Sequence, residues 1–417
     1  MKLNIIRTLL VGIAFMTISA FWQLYDFAVP LMLNRDFGIP DTLSGVVMSL
    51  DNILALFMLP FFGALSDKAM TKLGKRMPFI ILGTIAVAVG MILLPYAAHS
   101  HNLWLFIIAL GIVLIFMAVY RSPAVALMPD VTIKPLRSQG NAIINLMGAI
   151  GGVITLAGLT SLNPAELGYY PVFLLIAGIM LLGLVVMLVT VKENQWAQEM
   201  SDETLLHQIE ESKKEHYTTT LPSEIRRSLT FILLSIALWF MGYNAVTSAF
   251  SRYATIQIGL SDSQASAILL VANVGAIISF IPIGIFSSKF GRKLTIQIGV
   301  ILLTFVFATA TLYQQFSPLL YVNFLLAGLA WAAINVNSLP MVLEMAGVGD
   351  VGKYTGLYYT FSMAAQIVTP ILSGALFDFI GYRVLFPYAA IFVFLAFITM
   401  IQVKHGDAIQ ENKGVNK

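Results

Sequence analysis

Long apolar runs alternate with short polar connections along almost the whole chain. Runs of spanning length fall near 8–33, 43–66, 78–98, 103–128, 138–162 and 169–191. After a charged stretch they resume near 228–255, 263–288, 294–313, 317–344, 354–378 and 382–403. Crossing a hydrocarbon core takes about 20 residues of helix but only about 9–11 of barrel strand, so run length predicts helices. A backbone in lipid must satisfy its own hydrogen bonds, which points the same way. The pattern predicts an all-α membrane protein with twelve transmembrane helices. The first run is too long for the apolar core of a signal peptide and is expected to stay as the first span.

Composition agrees with that picture. Hydrophobic residues make up 58% of the chain and charged residues 11%, against about 25% charged in a soluble domain. A net charge of +3 gives no reason to expect nucleic-acid binding, and the absence of cysteine excludes disulfides and thiolate metal sites. The placement of the charge is more telling than its size. With both termini inside, nearly all Lys and Arg fall in inner loops, and only Arg35, Arg252 and Arg383 fall on the other side. Arg121 is left within a span. By the positive-inside rule this asymmetry predicts a multi-pass protein of the cell (inner or plasma) membrane with both termini cytoplasmic. The basic loops would also hold anionic lipid headgroups.

The one long polar stretch, 192–227, divides the chain near its middle and reads as a cytoplasmic linker, with an amphipathic helix on the membrane as one form for it. The halves on either side echo each other in order. Gly63-Ala-Leu-Ser-Asp67 and Gly74-Lys-Arg76 recur as Gly284-Ile-Phe-Ser-Ser288 and Gly291-Arg-Lys293. Trp22, Tyr25 and Asp26 are echoed by Trp239, Tyr243 and Asn244, and Asp130 by Glu344. The expected organisation is a bundle of six helices at 1–191, the linker at 192–227, a second bundle at 228–403 and a tail at 404–417. Two parallel six-helix halves with a binding site between them form a transporter arrangement.

The run from Gly63 through Asp67 to Gly74, Lys75 and Arg76 resembles the signature loop of the major facilitator superfamily. The resemblance implies a cytoplasmic gating latch, with Gly63 allowing close helix approach and Asp67 accepting charge-assisted hydrogen bonds. Further motifs are similar to the sucrose/proton symporter group, near the glycoside–pentoside–hexuronide:cation symporters. They include Leu50-Asp51-Asn52, Pro60-Phe-Phe-Gly63, and Tyr120-Arg121-Ser-Pro123 running on to Pro129-Asp130. In the second half the matching motifs are Asn335-Val-Asn337 and Thr355-Gly356-Leu-Tyr358-Tyr359. Melibiose-type symporters carry two carboxylates where this chain has Ala55 and Leu59. The resemblance therefore implies a proton as coupling ion, with sodium as the alternative, and no other cofactor.

An ionisable residue inside a span is a functional candidate because its insertion costs about 2.5–3.5 kcal/mol. Asp51 and Asp26 are the expected cation-coupling residues. Arg121 either binds substrate or clamps the fold through Glu344. Helical arithmetic separates Asp51 from Arg121 by about 15 Å along the membrane normal, which argues against a direct pair. Polar and aromatic residues recur at helical spacing. Trp22, Tyr25, Arg121, Tyr243, Asn244, Asn335, Asn337, Tyr358 and Gln366 are the expected substrate contacts, with Trp331 on the same stripe as Asn335. Amides and hydroxyls bond sugar hydroxyls, and aromatic rings pack on the apolar face of a pyranose. Interhelical hydrogen bonding is the competing use of each such stripe. Gly63, Asp67, Gly74, Arg76, Asp130 and Glu344 are the expected gating set. The expected activity is symport of a disaccharide or other glycoside by a monomer. Drug/proton antiport of the same superfamily is the alternative, disfavoured because span 5 lacks a Gly-Pro motif. The chain shows no phosphate-binding loop, zinc-protease spacing or nucleophile elbow, which argues against an enzyme.

Overall fold

The computed structural model describes residues 3–132, 137–199, 222–345 and 351–407, with backbone only at 137–139 and 351–353. Its long helices are α1 (Ile5–Arg35), α2 (Asp41–Asp67), α3 (Met77–His99), α4 (Leu103–Asp130), α5 (Arg137–Leu162) and α6 (Tyr170–Thr190). They continue as α7 (Ser223–Arg252), α8 (Asp262–Phe290), α9 (Arg292–Ala310), α10 (Leu319–Glu344), α11 (Val351–Ile380) and α12 (Leu385–Ile401). Among the described residues, twelve helices are of membrane-crossing length and apolarity, the number expected from the apolar runs. Most of the predicted 192–227 linker, residues 200–221, and the tail from 408 onward lie outside the described residues.

Local chemistry sets several of the helix ends. Asn4 and Asn102 accept from the backbone N–H of Arg7 and Leu105, at 3.1 and 3.0 Å, and so satisfy donors that the first turns of α1 and α4 leave open. Ser261 and Gln264 form a reciprocal capping box at the start of α8. Beyond Arg252, α7 runs on as a π-helical turn, Tyr253–Gln257.

Two compact units account for the chain. One comprises Met1–Gly38 with Leu50–Glu215, the other Ile39–Ser49 with His216–Lys417. Helix α2 therefore changes unit between Ser49 and Leu50. Within the first unit α1 packs on α5 and α6, and α3 on α4 and α6. Within the second α7 packs on α11 and α12, and α9 on α10 and α12. Each of these four pairings in one unit has its counterpart in the other, as the internal repeat leads one to expect. In lipid, helices associate by close van der Waals fit rather than by burying apolar area from water, so small residues mark the seams. A Cβ at Gly151 of α5 would overlap the Met16 carbonyl of α1. One at Gly328 of α10 would overlap the Ala272 carbonyl of α8.

Candidate functional site

In the first unit, α1, α2 and α4 bring the expected membrane-embedded groups together. Trp22 and Tyr25 of α1 meet edge-to-face, with ring centroids 5.3 Å apart. The Arg121 guanidinium of α4 lies over the Trp22 ring, 5.8 Å from its centroid, a cation–π contact that tolerates partial burial of the charge. Asp26 follows Tyr25 on α1, is half-buried, and is within electrostatic reach of Asp51. Asp51 accepts a hydrogen bond from Asn52 Nδ2 at 2.8 Å and also feels the charge of Arg121. Asp51 and Arg121 thus sense each other electrostatically. The indole N–H of Trp22 is buried and has no hydrogen-bond partner among the described residues. Buried donors are rarely left so, and a ligand acceptor would satisfy this one.

The second unit carries its own polar and aromatic groups. Tyr243 of α7 and Trp331 of α10 stack nearly parallel, 3.6 Å between centroids at an interplanar angle of 4°. Phe240 meets the Trp331 ring edge-to-face at 5.3 Å. The Asn244 amide nitrogen is buried without a partner among the described residues. Asn335 is exposed, whereas Asn337 is buried and bonds back to the Ala333 carbonyl of its own helix at 2.8 Å. Tyr358 Oη and Ser338 Oγ are 3.1 Å apart and join α11 to α10. Gln366 donates to the Ser362 carbonyl of its own helix at 3.3 Å. Asn337 and Gln366 therefore satisfy amide donors within their helices, and Tyr358 contributes to helix–helix adhesion.

The expected gating residues form two pseudo-equivalent networks, one in each unit. In the first, Arg76 is 4% exposed and donates to Asp130 Oδ2 at 2.8 Å, to Asp67 and Ser66, and to the Gly63 carbonyl at 3.3 Å. Lys75 Nζ adds a second contact to Asp130 at 3.2 Å. Gly63 does mark a close approach: a Cβ there would sit 3.1 Å from Ser122 Oγ of α4. In the second unit Arg292 pairs with Glu344. Glu344 is thus bound to the loop cation of its own unit.

Sequence inspection missed the carboxylates beneath these loops. Glu193, just past α6, accepts from the backbone N–H of Lys75 and Arg76 at 2.9 Å and of Met77 at 3.1 Å, capping α3. Burial pushes the Glu193 carboxyl above its ordinary range, against the opposing pull of those N–H groups. Asp407, just past α12, accepts from the Arg292 N–H at 3.0 Å. Gly74 (φ 117°) and Gly291 (φ 102°) turn the chain into each cap, and a Cβ at Gly74 would overlap the Glu193 carboxylate. The Gly74→Ala variant combines that clash with a left-handed backbone. It is expected to lose about 1–3 kcal/mol of stability, seen as a lower midpoint of thermal unfolding in detergent.

The family model of the major facilitator superfamily matches residues 11–280 and 232–414. The chain belongs to that superfamily. It is a multi-pass membrane protein of a family of transporters, not of enzymes. An uncharacterised transporter of the same type from Schizosaccharomyces pombe is 30% identical to this facilitator over 179 residues, which is 41% of this chain and 40% of that protein. A sucrose transport protein of Arabidopsis thaliana is 26% identical over 28% of this chain and 23% of its own length. The proton-associated sugar transporter A of Mus musculus is 28% identical over 30% of this chain and 18% of its own. The matched stretches thus span less than half of each of these relatives. Among solved structures, a POT family transporter in complex with 5-aminolevulinic acid superposes with a TM-score of 0.70 at 12% identity. That alignment covers 95% of this chain and 94% of that one. A bacterial homologue of the human drug peptide transporters gives a TM-score of 0.68 at 13% identity, over 96% and 98% of the two chains. At that identity these likenesses establish the fold alone.

Proposed function

We propose that this facilitator is a secondary active transporter that couples uptake of a sugar, a disaccharide or related glycoside, to a proton. The observation that carries the reading is the group in the first unit. Two half-buried carboxylates, Asp26 and Asp51, sense each other, and Arg121 over Trp22 lies within electrostatic reach of Asp51. Such groups are costly within a membrane, and those retained there mark substrate and ion pathways. Asp51 is the principal proton site and Asp26 the secondary one. Trp22, Tyr25 and Arg121 in the first unit, and Tyr243, Asn244 and Asn335 in the second, are the substrate contacts this reading favours. The orphan N–H groups of Trp22 and Asn244 supply donors for sugar hydroxyls. The likeness to sucrose transport proteins and to proton-associated sugar transporter A supports the sugar class. The asymmetry of Lys and Arg supports cytoplasmic termini in the cell membrane.

Purified protein in proteoliposomes, given a panel of radiolabelled sugars with pH and sodium gradients imposed separately, tests the reading. Accumulation of a glycoside driven by the pH gradient is the expected result. Accumulation of no sugar, or accumulation driven only by sodium, would overturn it.

A further inference from the structure

Asn52 of α2 sits beside Asp51 and has no role among those assigned above. On a helix, residues i and i+1 point about 100° apart and do not face each other. The Asn52 amide nevertheless turns to its neighbour and donates to Asp51 Oδ1 at 2.8 Å. Three other amides within the spans behave differently. Asn273 of α8 and Asn337 of α10 donate back to the carbonyls of Leu269 and Ala333, one turn earlier, at 3.1 and 2.8 Å. Gln366 of α11 does the same with Ser362 at 3.3 Å. That bond is open to any helical amide, yet among the described residues Asn52 donates to the Asp51 carboxyl instead. The charged and titratable groups facing Asp51 in the first unit are Arg121 of α4 and Tyr25 and Asp26 of α1. Ser122, next to Arg121, donates to the Leu59 carbonyl of α2 at 2.6 Å and so ties α4 to α2 on this side.

We propose that Asn52 is a positioning residue that sets the proton affinity of Asp51, keeping it low enough for a proton taken up at one face of the membrane to be released at the other. The inference rests on the reading of Asp51 as the proton site. Asn52 itself touches neither proton nor substrate and acts through the carboxyl. An amide donor discriminates between the two forms of that carboxyl. Its bond to the ionised form is charge-assisted and about twice as strong as a bond between neutral groups. It therefore favours the carboxylate and makes the proton easier to give up. A carboxyl in a medium of low dielectric tends to keep its proton, and a carrier that cannot unload the proton to water cannot complete a coupled cycle. Without the Asn52 donor, loading would saturate at a lower proton concentration and unloading would become the slow step.

Infrared titration of the protein in lipid tests this without any substrate. The carboxyl band that Asp51→Asn removes belongs to Asp51, and its growth with falling pH gives the midpoint of protonation. Asn52→Leu should raise that midpoint by about one pH unit, a gain of about tenfold in proton affinity. Asn52→Ala should do the same and serves if the Leu variant does not fold. Asn52→Gln keeps an amide donor and should restore most of the parental midpoint. A midpoint that neither Asn52→Leu nor Asn52→Ala moves, or no titrating Asp51 band in the parent, would overturn the proposal. Transport supplies a second arm, with radiolabelled sucrose in proteoliposomes. Asn52→Leu should slow uptake driven by a pH gradient about tenfold. It should leave counterflow, which needs no net release of the proton, near the parental rate. A purely structural role would slow both alike, and that result would also overturn the proposal. If the parent carries no sucrose, or carries it only with sodium, the sugar–proton reading fails while the infrared midpoint still decides the role of Asn52.

Discussion

Replacing Asp51 by Asn is expected to abolish sugar accumulation driven by a pH gradient while leaving passive exchange of substrate intact. Asn keeps the shape of Asp and can still meet Asn52, but it cannot gain and lose a proton. One pH unit is worth about 1.4 kcal/mol, so one-for-one coupling allows about tenfold accumulation across a one-unit gradient. With the coupling group gone, the inside-to-outside ratio should relax to about one, because a gradient does no work on a step that moves no proton. Steady-state radiolabel ratios in proteoliposomes measure this directly, and counterflow in the same vesicles shows whether the variant still binds and moves substrate. Asp26→Asn should give a smaller deficit, in keeping with a secondary role. Accumulation by Asp51→Asn equal to that of the parent would remove Asp51 from the mechanism.

The second large effect is expected at Arg76. Arg76→Gln removes the buried cation that Asp130 and Asp67 share, leaving Asp130 with Lys75 alone. Breaking a buried pair by deleting one partner costs about 3–5 kcal/mol. Asp67 is more than half exposed and regains water, so the lower end of that range is expected. Thermal unfolding in detergent would show it as a lowered midpoint. A double-mutant cycle adds a sharper test: Asp130→Asn should cost less in the Arg76→Gln background than in the parent. The difference should be about 1 kcal/mol or more, as for residues in one network. Additive losses would mean that the network does not act as a unit.

Much of the fold was legible in the order of residues, for a physical reason. In lipid an apolar run long enough to span has little choice but helix, so the twelve helices follow the apolar runs to within a few residues at most ends. The repeat was equally legible in its glycines, because Gly74 and Gly291 both need a left-handed backbone that other residues resist. Asp67, Arg76 and Asp130 stood out because their spacing forms a motif, and the structure brings those three together.

Other features were illegible for equally physical reasons. Glu193 and Asp407 look like ordinary charges after a span, and only the folded chain places them under a loop more than 100 residues away. Arg252 reads as an outer-side charge when positions are counted along the chain. In the structure it is among the most buried large side chains, because Asp41 waits for it across 211 residues. The substrate stripes were only partly legible. Spacing put Tyr358 on a polar face, but it cannot distinguish a hydroxyl aimed at a ligand from one bonded to Ser338 of the next helix.

The connections past α6 and α12 do more than cap loops. Arg7, near the start of α1, reaches Glu199 and lies over Trp196 at 5.1 Å. In the second unit Ser228, near the start of α7, receives the backbone N–H of Lys404 at 3.1 Å and meets His405 Nδ1 at 2.9 Å. In each half the chain just past the last long helix therefore meets the start of the first. A segment closed in this way can be copied in tandem without redesigning either end, since every copy brings its own fastening. That property makes an ancestral duplication mechanically easy and suits a chain whose halves repeat several helix pairings.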